Sequence, residues 1–314
     1  MDAFRVLEPG PLTTVQDLGR FGFQRFGVPV SGALDGPACR TANLLVGNPE
    51  SAAVLEITFS GLKLEVLAEA DLALTGARMP LLVSGRPQEA WESFRVRPGD
   101  EVVLKPARQG LRGYLAVGGG FDLSPVMGSR STYAGARLGG LQGRPLIRGD
   151  LLPRGEAPLL AKPKRLPPEL RPALDRAVSL RALPGPQDDF FGEGLEVFFS
   201  AQFKVSAKAD RMGYRLEGPA VSLKEGAPRS IISEPCLAGG VQIPADGQPI
   251  ILLIEQTVGG YAKIATVITP DLGLVAQARP GDLVRFDKVD LAAARQAARV
   301  EAARLARIRE LLKS

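Results

Sequence analysis

The 314 residues, 45% of them hydrophobic, suffice for two domains or one large all-β domain with a sizeable core. The chain has no histidine, which excludes a Ser-His-Asp triad, a Cys-His pair and a His-ligated metal within it, and its two cysteines, Cys39 and Cys236, form no CxxC pair of the kind that binds zinc. The net charge of +5 is concentrated after residue 287, where seven Lys and Arg stand against three Asp and Glu with no aromatic between them; this reads as a solvated helix surface rather than a nucleic-acid site.

Gly 36 and Pro 26 punctuate short apolar runs, a pattern of many strands rather than long helices. No apolar run is long enough to span a membrane, and the start, Met1-Asp2-Ala3-Phe4-Arg5, lacks the apolar stretch of a signal peptide; the expected location is the cytoplasm. Phe4 to Leu7 is a first strand, closed by Pro9-Gly10-Pro11. A glycine-rich loop follows, holding Gln16, Asp17 and Arg20. Asp35 reads as a helix N-cap with Pro37 in the first turn, and that helix stops at Gly47-Asn48-Pro49. Strands follow at 54–59, 62–66, 72–75, 81–83, 102–104 and 114–117. Gly118-Gly119-Gly120 is not a dinucleotide fingerprint, and no Walker A sequence is present.

Residues 162–177, rich in Lys, Arg and Pro, read as a linker. They separate a first domain, 1–161, from a second, 178–287, with a helix over 288–314. The helix face expected to be apolar carries Leu291, Ala294, Ala298, Leu305, Ile308 and Leu312. The second half echoes the first. Arg97-Pro98-Gly99-Asp100 recurs as Arg279-Pro280-Gly281-Asp282, and the run from Arg20 to Gly27 is echoed from Arg211 to Gly218. A degenerate duplication predicts two similar β-barrel-like halves with a ligand cleft between them.

Two sets of residues have the types that chemistry needs. Gln16, Asp17, Arg20 and Asp35, with Arg130 and Ser131 in the run Gly128–Thr132, offer guanidinium and hydroxyl groups for an anionic substrate, or an Arg–Asp staple for a loop. Glu255, Gln256, Thr257, Gly259, Gly260, Tyr261 and Lys263 follow an apolar strand at 249–254. They form either a site edge, with Glu255 as general base and Lys263 stabilising negative charge, or a strand followed by a solvated glycine turn. Arg211 repeats the Arg20 theme in the second half.

Four stretches together, GPLTTVQDLGRFGFQRFGVPVSGALD (10–35), GSRST (128–132), DRMGYRLEGP (210–219) and DGQPIILLIEQTVGGYAKIATVI (246–268), carry a family resemblance. The chain resembles the C-type subunits of the bacterial ATP-dependent 5-oxoprolinases, with the KipA-type proteins, the second subunit of allophanate hydrolase-like proteins and the carboxyltransferase domain of urea carboxylase. The resemblance implies a mainly β fold of two cyclophilin-like β-barrel subdomains related by pseudo-duplication, with a C-terminal helix. It implies a component that, with a KipI-like B-type subunit and an A-type subunit, opens the lactam of 5-oxo-L-proline to L-glutamate with hydrolysis of ATP. The nucleotide and its Mg would be shared with a partner subunit, with no metal held by His or Cys. Gln16, Asp17, Arg20, Asp35, Arg130, Ser131, Arg211, Gln256, Thr257, Gly259, Gly260 and Tyr261 are the expected substrate-binding residues, and Glu255 and Lys263 the expected catalytic ones. A KipA-like regulator binding a KipI-like inhibitor of a histidine kinase, and a biotin-dependent carboxyltransferase acting on urea or a similar amide, are the alternatives. No nucleic acid or membrane partner is expected. The sequence departs from the family's Gln-Thr-Thr-Gly-Gly-Tyr-Pro run at Val258 and Ala262, and has Glu255 where Asp is common.

Overall fold

The computed structural model describes residues 2–313 and is mainly β. The chain divides into two compact units, one built from the residues up to Phe21, Ser31–Leu174 and the residues from Arg304 onward, the other from Gly22–Val30 and Asp175–Ala303.

The first unit holds two sheets. Six strands run in the order Leu151–Pro153, Asp2–Pro9, Leu62–Val66, Glu101–Leu104, Leu81–Val83 and Arg86–Gln88; five run in the order Leu12–Gln16, Val54–Thr58, Gln109–Val117, Ala70–Arg78 and Ser93–Val96. Side chains alternate across a strand, and both central strands of the second sheet use both faces. Leu72, Leu74, Leu115 and Val117 enter the core shared with Phe4, Val6, Leu62, Leu64 and Val66 of the first sheet. Ala73, Tyr114 and Ala116 point the other way, onto helix α1 (Gly36–Leu45), where they meet Ala38, Cys39, Ala42 and Leu45. The Asp35 carboxylate caps α1 by accepting the Ala38 N–H at 3.1 Å, and Pro37 sits in the first turn, where no backbone donor is needed.

Residues 162–174 pack within this unit: Leu166 and Leu170 are buried in the α1 cluster, together with Ile308 and Leu312.

The second unit is a closed barrel of seven strands, in the order Ala177–Pro184, Ala262–Val267, Gly240–Ile243, Ile250–Leu252, Gly213–Glu217, Gln202–Ala209 and Leu283–Lys288. A two-stranded ribbon, Glu234–Pro235 paired with Val258–Gly259, lies apart from the barrel ladder. Helix α2 (Glu193–Ser200) plugs the barrel with Phe198, whose ring stacks on Phe286 at 4.2 Å, with Phe203 nearby. Helices α3 (Leu272–Gln277) and α4 (Leu291–Lys313) follow.

Three expectations change. The strand before Glu255 ends at Leu252 rather than Ile254, so Glu255 lies in a turn. On α4 the buried alanines of the second unit are Ala294 and Ala297, while Leu291 and Ala298 are exposed; the inward stripe drifts by one position because 3.6 residues per turn do not hold a fixed repeat. The two echoes also part company. The Arg-Pro-Gly-Asp turns are structural copies: Asp100 and Asp282 each accept the backbone N–H of the Arg three residues earlier, at 2.8 and 2.9 Å. Gly99 and Gly281 have φ of 90° and 91°, and their N–H groups donate to Val66 and Val205 of the adjoining strands. A left-handed residue is needed there, and glycine takes it without strain. The other echo is not structural. Residues after Arg20 form a turn and a short 3-10 helix, Gln24–Phe26, whereas those after Arg211 form the strand Gly213–Glu217.

Candidate functional site

In the first unit the loop after Gln16 is held by one carboxylate. Asp17 Oδ1 accepts from the Gly19 N–H (2.8 Å), the Ser129 hydroxyl (2.7 Å) and the Ser131 hydroxyl (2.5 Å); Oδ2 accepts from the Arg130 N–H (2.6 Å). The Ser131 oxygen in turn accepts the Asp17 N–H at 3.0 Å. Gln16 spans the same crossing: its amide donates to Thr14 Oγ1 and the Thr132 carbonyl, and its oxygen accepts the Gly32 N–H. Arg20 is fully buried and donates to the carbonyls of Val126 (3.0 Å) and Ser131 (2.8 Å), while its Nη1 makes no hydrogen bond. Burial lowers the pKa of this guanidinium, an effect Asp17 opposes. Arg130 turns its guanidinium to the Leu123 carbonyl and the Asp122 carboxylate. Asp35 is the cap of α1, and its N–H donates to the Tyr114 hydroxyl. Thus Gln16, Asp17, Arg20, Arg130 and Ser131 are gathered into one network, whose side chains brace two loops against each other; buried polar groups require such partners.

Beside it lies a second buried network that the sequence reading did not single out. Glu56 accepts from the Tyr114 hydroxyl (2.9 Å) and the Leu34 N–H (3.0 Å), with the Arg112 Nε 3.7 Å from its other oxygen. Burial and then Glu56 push the Tyr114 hydroxyl pKa well up, so it stays protonated and donates. The available signal was a Glu inside the apolar run Val54–Thr58.

In the second unit the sequence-derived residues split into two pairs. The Arg211 Nε donates to Glu255 Oε1 at 2.6 Å, with both side chains about nine-tenths buried. Lys263 has a partner of its own: its Nζ lies 2.5 Å from Glu234 Oε1. Gln187 joins this second pair: its Oε1 accepts the Lys263 N–H at 3.0 Å, and its amide reaches the same Glu234 oxygen at 3.4 Å. Lys263, ahead of Gln187, holds the Glu234 carboxyl below its usual range. Gln242, opposite Lys263 in the barrel ladder, donates to Cys236 Sγ at 3.7 Å. Burial raises the Cys236 thiol pKa, against the effect of Lys263.

The glycine turn covers this cluster. Glu234 pairs with Gly259 in the ribbon, and a Cβ on Gly259 would fall 2.4 Å from Gln242 Nε2 and 3.1 Å from Cys236 Sγ, so a larger residue there would push the Gln242 amide aside. The Thr257 carbonyl accepts the Cys236 N–H, the Gly260 carbonyl accepts the Ile231 N–H, and Gln256 donates to the Val258 carbonyl. Tyr261 is 44% exposed. Glu234, Gln187, Gln242 and Cys236 were missed in sequence. Gln242 carried a signal, a polar residue inside an apolar strand, while nothing local marked Gln187.

Among the described residues no helix is long and apolar enough to cross a membrane, and no group of three or more His, Cys, Asp or Glu is placed to hold a metal ion.

Comparison with known proteins agrees with the fold. The family described as the carboxyltransferase domain, subdomain A and B, matches residues 26–288. The chain is 40% identical to the C subunit of 5-oxoprolinase from Escherichia coli, over 91% of each chain. It is 36% identical to the C subunit of 5-oxoprolinase from Haemophilus influenzae, over 98% of each. Among solved structures, the urea amidolyase of Kluyveromyces lactis superposes with a TM-score of 0.92 at 32% identity, covering 98% of this chain and 20% of that one. The chain therefore belongs to the carboxyltransferase-domain family, subdomain A and B, in which it is closely similar to the C subunits of 5-oxoprolinases.

Proposed function

We propose that this chain is the C-type subunit of an ATP-dependent 5-oxoprolinase, acting with subunits of the A and B types on the lactam of 5-oxo-L-proline. The observation that carries the reading is its 36–40% identity to proteins of that name across nearly the whole length of both partners. The chemistry would begin with transfer of the γ-phosphoryl group of ATP to the lactam oxygen, releasing ADP. Water then adds to the activated ring carbon, the C–N bond breaks to give an acyl phosphate and a free amine, and a second water releases phosphate. Preorganised cations stabilise the charge that develops on oxygen in such steps.

This chain's contribution would be binding and positioning. Lys263 supplies a buried ammonium, and Gln187 and Gln242 supply amide groups beside it. Glu255, already paired with Arg211, would act through that pair and shape the loop that carries Gln256 to Tyr261. No nucleotide or Mg step is assigned to residues of this chain; ATP and Mg would be held jointly with a partner subunit.

A second reading, carboxyl transfer from biotin to an amide, draws support from the 0.92 TM-score to urea amidolyase. The test is a coupled assay for ADP and glutamate on this chain with candidate subunits of the A and B types. The expected result is 5-oxoproline-dependent ATP hydrolysis by the assembly and none by this chain alone. Absence of that turnover, with transfer from carboxybiotin instead, favours the second reading.

A further inference from the structure

The two ion pairs made by the sequence-derived residues of the second unit, Arg211–Glu255 and Lys263–Glu234, differ in a way that points to a ligand. Arg211 and Glu255 are both buried, as a pair that only holds structure would be. In the other pair the cation is buried and the anion is not: the Lys263 side chain is 9% exposed and that of Glu234 is 41% exposed. Lys263 stands in the barrel wall, on the strand Ala262–Val267. Glu234 reaches it from the ribbon, which has only two ladder rungs.

The single oxygen Glu234 Oε1 is met by the Lys263 ammonium, as an ion pair at 2.5 Å in which the buried Nζ has no aligned hydrogen-bond partner among the described residues, and by the Gln187 amide, which donates at 3.4 Å. Gln187 cannot swing freely, because its own oxygen is fixed by the Lys263 N–H. An ammonium beside an oriented amide is an arrangement that recognises a carboxylate. Here the chain's own carboxylate fills it.

The ribbon and its flanks expose much of their apolar surface, although Cys236 beside them is buried: Val258 is 55% exposed, and Ile232 and Leu237 next to the ladder 94% and 70%. A segment with few buried apolar contacts opens at low free-energy cost. Displacement of Glu234 would leave Lys263 Nζ and Gln187 Nε2 facing a new partner, and lifting Gly259 would uncover the Gln242 amide beside them.

We propose that Lys263 and Gln187 form a carboxylate-binding subsite, and that Glu234 is its internal occupant, displaced when the carboxylate of a substrate binds. For 5-oxoproline, whose ring carries one carboxylate, the proposal rests on the function proposed above; for small carboxylates in general it stands alone. Bound substrate competes with Glu234, so the apparent affinity is reduced by the fraction of molecules in which Glu234 holds the subsite.

Calorimetric titration of the full chain, alone and with its partner subunits, tests this with 5-oxoproline, its carboxamide, and glutarate as probes. Glu234→Gln removes the competing charge and should tighten 5-oxoproline and glutarate about two- to fivefold, the range set by a partly exposed ion pair, while leaving the carboxamide unchanged. Lys263→Met should weaken both carboxylates about tenfold or more, in the wild-type and the Glu234→Gln background. Thermal melting checks that each variant is folded; Glu234 is exposed enough for its substitution to be tolerated. If Glu234→Gln weakens carboxylate binding or leaves it unchanged, or if no carboxylate binds either protein, the subsite is refuted. Glutarate binding that responds as expected, with no binding of 5-oxoproline, keeps the subsite and overturns the oxoprolinase reading. Turnover of 5-oxoproline that is indifferent to both substitutions does the reverse.

Discussion

Replacing Asp17 by Asn removes one charge and keeps the shape, so its cost can be worked out bond by bond. The carboxylate accepts four hydrogen bonds, three at Oδ1 and one at Oδ2. An Asn places its one oxygen best on the three-donor side. Its NH₂ then faces the Arg130 N–H, donor against donor, and that part-buried N–H loses its partner at a cost of about 1 kcal/mol. The three remaining bonds drop from charge-assisted to neutral, each losing roughly 1 kcal/mol. Relief from burying a charge offsets part of this, leaving a net destabilisation of about 3 kcal/mol. Trp91 is the only tryptophan of the chain and packs in the same unit, against the α1 cluster. Its fluorescence during urea unfolding therefore reports on the unit that Asp17 braces. A loss below about 1 kcal/mol would show that the four bonds are not made together, and would refute the bracing role.

Other substitutions separate structure from chemistry. Glu255→Ala leaves Arg211 buried without this carboxylate and should destabilise the second unit by about 3 kcal/mol, whereas Glu255→Gln, which still accepts a bond, should cost nearer 1 kcal/mol; denaturant unfolding followed by circular dichroism distinguishes them. Gly139→Ala would put a Cβ 2.1 Å from the Ser131 carbonyl oxygen and 2.6 Å from Arg20 Nη2, at φ +63°, so it should destabilise by roughly 2 kcal/mol or more and loosen the Arg20 contacts. Burial pushes the Glu50 carboxyl pKa up, but Arg309 and Arg40 pull it further down, to a net value below the usual range. A depressed folded value stabilises above the ordinary glutamate pKa and is lost as pH falls through the folded one. Wild-type stability should therefore decline more steeply than that of Glu50→Gln in acid titration below about pH 4.5, and equal slopes would deny the pairing a role.

Much of the fold was legible because it rests on local rules. Alternation in Leu62–Val66 marked a one-sided strand, and Asp35 with Pro37 marked the start of α1. The Arg-Pro-Gly-Asp turn was legible twice, since one Asp side chain and one glycine define it in each copy. The site was legible only as a set of positions. Sequence placed Glu255 and Lys263 eight residues apart and suggested a shared ligand, yet each side chain is claimed by a residue distant in sequence: Arg211, 44 positions earlier, and Glu234. Gln187 comes from 76 positions before Lys263. Partnerships of that span are set by how the turns and the two-stranded ribbon fold back beside the barrel strands, which no local pattern contains. The same limit explains Arg20. Its loop motif was visible, but its guanidinium binds carbonyls of residues 126 and 131, more than a hundred positions away.

Taken by charge, the side chains that looked most reactive are the ones most firmly engaged. Asp17 has four donors, Glu255 has Arg211, and Arg130 has Asp122 and Leu123. On the proposed function, chemistry would proceed either through a group whose partner can leave or through groups brought by a partner protein. Glu234 is the residue best placed to leave, since its side chain is 41% exposed and its ribbon is a two-rung ladder flanked by the Cys236–Thr257 and Ile231–Gly260 backbone bonds. If the lactam and the phosphoryl donor meet near Lys263, the ammonium released from Glu234 becomes available for the substrate as that substrate arrives. Displacement and binding then become a single event, and the ligand's carboxylate supplies the selectivity: a ligand without it leaves Glu234 paired with Lys263.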